Sequence, residues 1–376
     1  MSTTIIAALE DTARAPDAHV TFSTCWTAIE AESSGAMTSK LVVGSKLVVS
    51  KLVAASASGD VARVRELVVG SKSAATAEAA ALFAAAEHDH AEVITVLRDA
   101  GAQQAKQPCG QTATWAAASV GHVDCVRALG GDAVDEVDDV CGIAPVLIAS
   151  VAGFAGVVGA LHSLGADLAA VDDQGNTALH LAAQHAHVDL VRALPALGAD
   201  IEARNNAGQT PLFVAAQAPS NGLDASSSSS SSSSSATTTT TTSSSARIEV
   251  LRALFELGAE LEAPCAHGVT PLQIATMQGE VATVRALHAM GAAVGVGATV
   301  GAIHLAALQG NAEMIQALHG LGADLRAPAG RCAVCADQFA ERGGHHDAAR
   351  LLRELVGKPA QREQLPSPTQ VQSAFN

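Results

Sequence analysis

The sequence predicts an all-α solenoid of stacked helix–turn–helix units. Three observations predict it. Glycines that close a Leu-Gly-Ala-like segment recur at Gly101, Gly131, Gly165, Gly198, Gly258, Gly291 and Gly322, at intervals of 30, 34, 33, 60, 33 and 31 residues. A period near 33 marks an architecture in which each unit buries its apolar face against the next. The chain is 48% apolar but only 2% aromatic, with no tyrosine. An irregular core wants aromatic bulk, whereas one of Ala, Val and Leu suits thin helices stacked closely. Finally, the 60-residue interval is 33 plus 27, and it contains a tract of serines and threonines. The one large departure from the period thus has a visible cause.

The clearest unit runs from Asp172 to Ala203. Gly175 follows a polar turn. Thr177 is suited to N-cap a short first helix, Ala178 to Gln184. His185 to His187 form a turn. Val188 to Leu197 form a second helix, with Leu190, Val191 and Leu194 spaced for one buried face. Gly198 ends it, because glycine tolerates the left-handed conformation a helix end needs. The Ala182-Ala183 pair keeps the first helix thin.

The same grammar appears as "GNTALHLAA" from Gly175, "GQTPLFVAAQ" from Gly208, "GVTPLQIAT" from Gly268 and "GQTATWAAASVGHVDCVRAL" from Gly110. "GIAPVLIASVAGF" from Gly142 and "VGAIHLAALQG" ending at Gly310 are more degraded copies, and "ALFAAAEHDHAEVITVLRDAGA" is a weak early one. Together these segments resemble the ankyrin-repeat family. Its pattern is a turn, Gly-x-Thr-Pro-Leu-His-x-Ala-Ala, Gly-His, then a second helix ending in Leu-x-x-Gly-Ala-Asp. The resemblance covers roughly residues 50 to 356. "AASASGDVARVRELV" from Ala54 resembles an N-terminal cap, and "AERGGHHDAARLLREL" from Ala340 a C-terminal one.

The resemblance implies an ankyrin-repeat solenoid with hairpin-like turns between helix pairs; the Ser/Thr insertion, with no apolar residue able to join a core, and the tails are expected to be disordered. The resemblance also implies that His180 tethers adjacent turns by hydrogen bonds, and it places Trp115 at the same position of an earlier unit, where packing is expected. Pro195, in the last turn of a second helix, is expected to bend or shorten it. The unit ending at Gly131 is about two residues short, and the stretch from Gly330 to Gly343 is about two residues longer than the family's spacing.

Aligning neighbouring units places the insertion. Three residues separate Gln184 from Val188, but thirty separate their counterparts Gln217 and Ile248. The extra 27 residues therefore fall in the turn between the two helices of one repeat. Loop closure grows costly only slowly with length, so the fold tolerates this. The expected organisation is an undefined segment over 1–48, one array of about eight or nine units over 49–356 with an insertion at 218–246, and a disordered tail over 357–376. The copies "SKLVVGSKLVVSKLVAAS" from Ser39 suggest slippage in the coding sequence, the last copy starting the capping helix.

Composition narrows the function. A net charge of −15 argues against nucleic acid, whose phosphates need a basic surface. Seven cysteines without a small-domain spacing suit reduced thiols. The N-terminus lacks a basic region ahead of an apolar run, and no apolar stretch is long enough for a membrane span. The expected location is therefore cytoplasmic or nuclear, with no membrane partner.

No motif assembles an active site. Cys332 and Cys335 have zinc-like spacing, but the adjacent His345 and His346 cannot easily converge on the same ion, and both fall at the turn before the last helix. "GVGATVG", Gly295 to Gly301, lacks the flanking strand and acidic residue of a dinucleotide loop and coincides with an inter-repeat turn. His180, His185 and His187 look like a ligand cluster but match structural and turn positions. No catalytic residue, metal or cofactor is expected.

Function should then lie in the residues that the repeat framework leaves free. Those at the turn tips are Asp135, Glu136, Asp138, Asp139, Asp172, Asp173, Gln174, Asn205 and Asn206. Those on the exposed face of the first helices are Gln184, Gln217, Met277 and Gln278. The acidic tips are either a solvated rim or a groove for a basic peptide or protein patch. The expected function is a non-enzymatic protein–protein interaction scaffold or adaptor. The alternatives are a regulatory or targeting subunit of an enzyme complex, or a fragment of a larger protein. Partner identity and oligomeric state are not set by the sequence.

Overall fold

A computed structural model describes residues 41–70, 75–107, 110–139, 142–217, 239–295, 300–329 and 334–356, in a few places as backbone alone. The expectations for residues 1–40, for the greater part of the insertion, for Cys332 and for 357–376 lie outside these residues. The described chain holds 18 α-helices in nine consecutive pairs. It divides into two compact units, residues 1–173 and 174–376. The division does not fall in the Ser/Thr tract, which lies inside the second unit.

The first unit contains α1 (Leu41–Ala57), α2 (Val61–Gly70), α3 (Ala75–Glu87), α4 (Ala91–Asp99), α5 (Ala113–Val120), α6 (Val123–Leu129), α7 (Pro145–Ala152) and α8 (Ala155–Ser163). The odd-numbered helices pack on one another in one layer and the even-numbered ones in a second. The slippage-like copies after Ser39 do not break the chain, since α1 runs through them as a single helix.

The second unit contains α9 (Ala178–Gln184), α10 (Val188–Ala196), α11 (Pro211–Gln217), α12 (Thr239–Glu256), α13 (Pro271–Met277), α14 (Val281–Ala289), α15 (Ala302–Gln309), α16 (Ala312–Gly320), α17 (Ala336–Arg342) and α18 (His346–Val356). Here too the odd and even helices form two layers. The helices flanking the insertion take their places in both: α11 packs on α9 and α13, α12 packs on α10 and α14, and the two pack on each other. One feature differs from the sequence expectation. The second helix resumes at Thr239 and not near Ile248, so it takes up the end of the tract. Arg247, at the position of the turn residue His187, is buried within this continuous helix.

Two recurrent helix ends explain the period. After most second helices a glycine takes a positive φ, as at Gly198 (φ 97°) and Gly258 (φ 97°). The following alanine N–H then reaches back to a leucine carbonyl, Ala199 to Leu194 (3.1 Å) and Ala259 to Leu254 (2.9 Å). This is the left-handed stop that glycine permits and other residues resist. After Leu129 the arrangement fails: α6 has 7 residues where α8 has 9, so that unit is two residues short, as expected. Pro195 does not shorten its helix, because α10 keeps the 9-residue length of α8, α14 and α16. Proline removes one N–H near the helix end, while Leu197, Gly198 and Ala199 still bond back to Ala193, Pro195 and Leu194.

The core is aliphatic and small. Leu147, Leu161, Leu179, Leu190, Leu194 and Leu212 are almost fully buried, interleaved with alanines such as Ala117, Ala149, Ala182 and Ala215. The long stretch before α17 holds an antiparallel bridge between Ala329 and Val334.

Candidate functional site

Each unit presents turn tips and the exposed positions of its first helices, and both are held by hydrogen bonds at fixed register. A tip closes on itself: Asn205 N–H donates to Gln209 O (3.1 Å), and Cys265 N–H to Val269 O (3.0 Å). Successive tips then join. Asp139 N–H reaches Gly110 O (3.4 Å) in the first unit; Asn206 N–H reaches Gln174 O (2.9 Å) and Ala266 N–H reaches Ala207 O (3.0 Å) in the second.

A second set of tethers runs from the third residue of the first helix to the next tip. His180 is fully buried; Thr177 N–H donates to its Nδ1 (3.2 Å), which leaves Nε2–H to donate to Gln209 O (3.0 Å). The expected role of His180 is therefore present. Three other side chains do the same at the equivalent position. Trp115 Nε1–H donates to Ile143 O (3.2 Å), Gln273 Nε2–H to Val300 O (2.6 Å), and His304 Nε2 bonds Ala327 O (2.9 Å). Trp115 thus packs, as expected, and also tethers. For Gln273 the signal was its place in the motif, since an amide supplies the same N–H donor as the imidazole.

His304 is the imperfect member. Its Nδ1 is buried with no partner among the described residues. Burial lowers its pKa, opposed by the backbone hydrogen bond to Ala327. The reason is Gly301, which stands where Thr177 serves His180. Gly301 has φ −72° and ψ 161°, close to Thr177 at −81° and 172°. A Cβ there would lie 3.4 Å from His304 Nδ1, without a clash. Gly301→Thr should therefore restore the missing hydroxyl and raise stability by about 1–2 kcal/mol. Urea denaturation of the two proteins checks it, and an unchanged midpoint would contradict the assignment.

The acidic tips lie in the first unit and differ among themselves. Asp135, Glu136 and Asp139 are exposed. Asp135 accepts the backbone N–H of Asp167 (2.9 Å), and Asp139 pairs with Lys106 (2.5 Å), a partner one repeat period back that sequence reasoning missed. Asp173 is exposed and Asp172 half-buried. Asp138 departs from expectation, being only 1% exposed. Its N–H donates to Ile143 O and its C=O accepts from Gly142, the tip-closing position that Asn205 and Cys265 hold in later repeats, and Cys265 is buried there as well. It is part of the turn and is not exposed at the tip surface.

The remaining candidates lie in the second unit. Gln174 and Asn206 are exposed at the tips, and Gln184 is half-buried. Asn205 is occupied by structure: its Oδ1 accepts from Ala207 and Gln209 N–H, and its Nδ2 donates to Asn176 and Gln209. Gln217 accepts from Gln209 Nε2 (2.8 Å). Met277 is 42% exposed and Gln278 is exposed. Their neighbours Leu308, 45% exposed, and Gln309 were missed, although an offset of 31 residues from Met277 and Gln278 points to them.

Of the residues with metal-like spacing, Cys332 lies outside the described residues. Among the described residues no group of three potential ligands is placed to hold a metal ion. The His185 and His187 rings stack at 6.1 Å, and burial, then the neighbouring His187, pushes His185 down to about 4. No helix among the described residues is long and apolar enough to cross a membrane.

Paired helices in two layers, tip-to-tip bonding and a donor at one recurrent helix position define an all-α repeat protein. Residues 52–138 and 146–227 match the family model for ankyrin repeats, in three copies. These residues carry ankyrin repeats, and repeats of this kind are protein–protein interaction modules. Among solved structures, it is similar to the ankyrin repeat domain of Bcl-3, described as a unique member of the IkappaB protein family. That match has 26% identity and a TM-score of 0.50, covering 64% of this chain and 99% of the other. No curated protein matches the sequence.

Proposed function

We propose that the chain is a non-enzymatic scaffold or adaptor, and that the acidic tips of its first unit dock a basic patch on a protein partner. The observation that supports this most is the division of labour among side chains. His180, Trp115, Gln273 and His304 are buried and hold the repeats in register. Glu136, Asp139 and Asp173 stay at the surface. Clustered exposed carboxylates steer and orient a cationic partner more than they stabilise the fold.

The test is charge reversal at positions whose side chains are exposed, Glu136→Lys with Asp173→Lys. Asp138 is excluded because it is buried. Affinity capture followed by mass spectrometry, with wild type and double variant compared at low and high salt, should show partners lost from the variant. Their wild-type affinity should fall about tenfold on reversal, as expected for one to two kcal/mol of rim electrostatics. Partners retained equally by both proteins, at either salt concentration, would contradict the acidic-tip contact.

A further inference from the structure

Two cations of the chain already occupy the acidic tips of the first unit. Arg98 lies 2.6 Å from Asp132 and Lys106 lies 2.5 Å from Asp139, each across one repeat period. Arg98 is built into the fold, since its guanidinium also donates to Ala102 O (3.3 Å). Lys106 is not: among the described residues its ammonium bonds only Asp139. The Asp139 side chain is 61% exposed, so a cation arriving from solution reaches it too.

Arg204 shows what a framework cation does at this position. Lys106 and Arg204 each precede the residue that closes their tip, Gln107 and Asn205. Arg204 donates to the backbone carbonyls of Gly208 and Pro264, in its own tip and the next. Lys106 meets a side chain instead. The Asp139 bond, with Glu136 and Asp138 nearby, holds its ammonium above the usual lysine range against some loss of hydration. The amine therefore stays charged while it lies on the tips.

We infer that Lys106 is an internal competitor for the acidic tips, occupying Asp139 until a cation of the partner takes its place. The inference rests on the acidic-tip contact proposed above. Magnitudes favour exchange. An exposed ion pair is weak and screened by salt, so an arriving guanidinium displaces it readily. A guanidinium also presents two parallel donors that match a carboxylate, which an ammonium lacks. The displaced ammonium stays beside the incoming charge and repels it. Lys106 therefore lowers the affinity of every cationic partner and favours those whose arginines reach Asp139.

Fluorescein-capped octa-arginine, which carries no amine, is the probe. Its affinity is titrated by fluorescence anisotropy against wild type, Lys106→Gln, Arg63→Gln and Glu136→Lys/Asp173→Lys. Arg63 pairs with Glu66 on α2, so Arg63→Gln uncovers a carboxylate outside the tips with the same change in net charge. At low salt, binding should tighten about three- to fivefold in Lys106→Gln and less than about twofold in Arg63→Gln. Near about 1 M salt the difference should vanish. In parallel, the amines of the wild type are acetylated with and without saturating probe and read by mass spectrometry. Labelling of Lys106 should rise on binding relative to exposed Lys51 on α1, because the probe sets its amine free. The inference is overturned if Lys106 labelling stays level or falls, or if Lys106→Gln binds no tighter than Arg63→Gln. Loss of probe binding on tip reversal would leave the acidic-tip contact standing even then. A probe that binds the tip-reversed protein as tightly as wild type, or fails to bind wild type, would overturn both.

Discussion

Trp115→Ala should destabilise the first unit by about 4–5 kcal/mol, the largest loss expected from a single side chain. Trp115 is 6% exposed, and its ring fills the position of the tethering histidine. Truncation to alanine leaves a cavity in a core whose other members are mainly small aliphatics. It also removes the N–H that Ile143 O accepts. Trp115→Phe separates the two contributions, since it keeps most of the volume and removes the donor. Its expected cost is about 1–2 kcal/mol, the range for one buried hydrogen bond and imperfect refilling. Denaturant titration followed by circular dichroism, with hydrogen exchange to assign the loss to the first unit, measures both. A cost for Trp115→Ala below that expected for Trp115→Phe would contradict the combined role of packing and tether.

Gly175→Ala is the second large effect. Gly175 has φ +77°, and a Cβ there would lie 2.6 Å from Asn206 Oδ1 and 2.8 Å from the Asn206 backbone N. A backbone atom cannot swing aside as a long side chain can. The tips would have to separate, breaking the bond from Asn206 N–H to Gln174 O. The left-handed conformation alone costs an alanine roughly 1 kcal/mol. With the clash and the lost bond, about 3 kcal/mol or more is expected. Gly198→Ala is the control. It has φ +97° and nothing within 4 Å of the added Cβ, so only the conformational cost applies. Equal losses in the two variants would show that close tip stacking contributes nothing.

Much of the fold was legible because its determinants are local and repeated. Thr177, His180, Gly198 and the leucines of α10 each act within one unit or on the next, at a spacing visible in the chain. What the sequence hid depends on exact register. Asp138 looked like one more exposed acid among several, but it holds the tip-closing position, which is buried here as it is at Cys265. Asn205 looked free, although all of its hydrogen-bonding groups are engaged within the tips. The Lys106–Asp139 pair lies one repeat apart, yet no motif marks it. The back-extension of α12 to Thr239 was also invisible, because a run of threonines and serines has weak helix propensity and gives no apolar period. Of the candidate site, the first-helix face was readable as far as Met277 and Gln278. Carrying the same offset one unit further would have reached Leu308 and Gln309.

The claim on which the rest depends is that α11 and α12 are the two halves of one repeat, with the Ser/Thr tract as an insertion between them. A cleavage site for a sequence-specific protease placed after Ser230 tests it directly. After complete cutting, the two chains should elute together at the volume of the uncut protein under native conditions and unfold with a shared midpoint, because each half buries its face against the other. Fragments that separate in native buffer, each keeping its own unfolding transition, would contradict it.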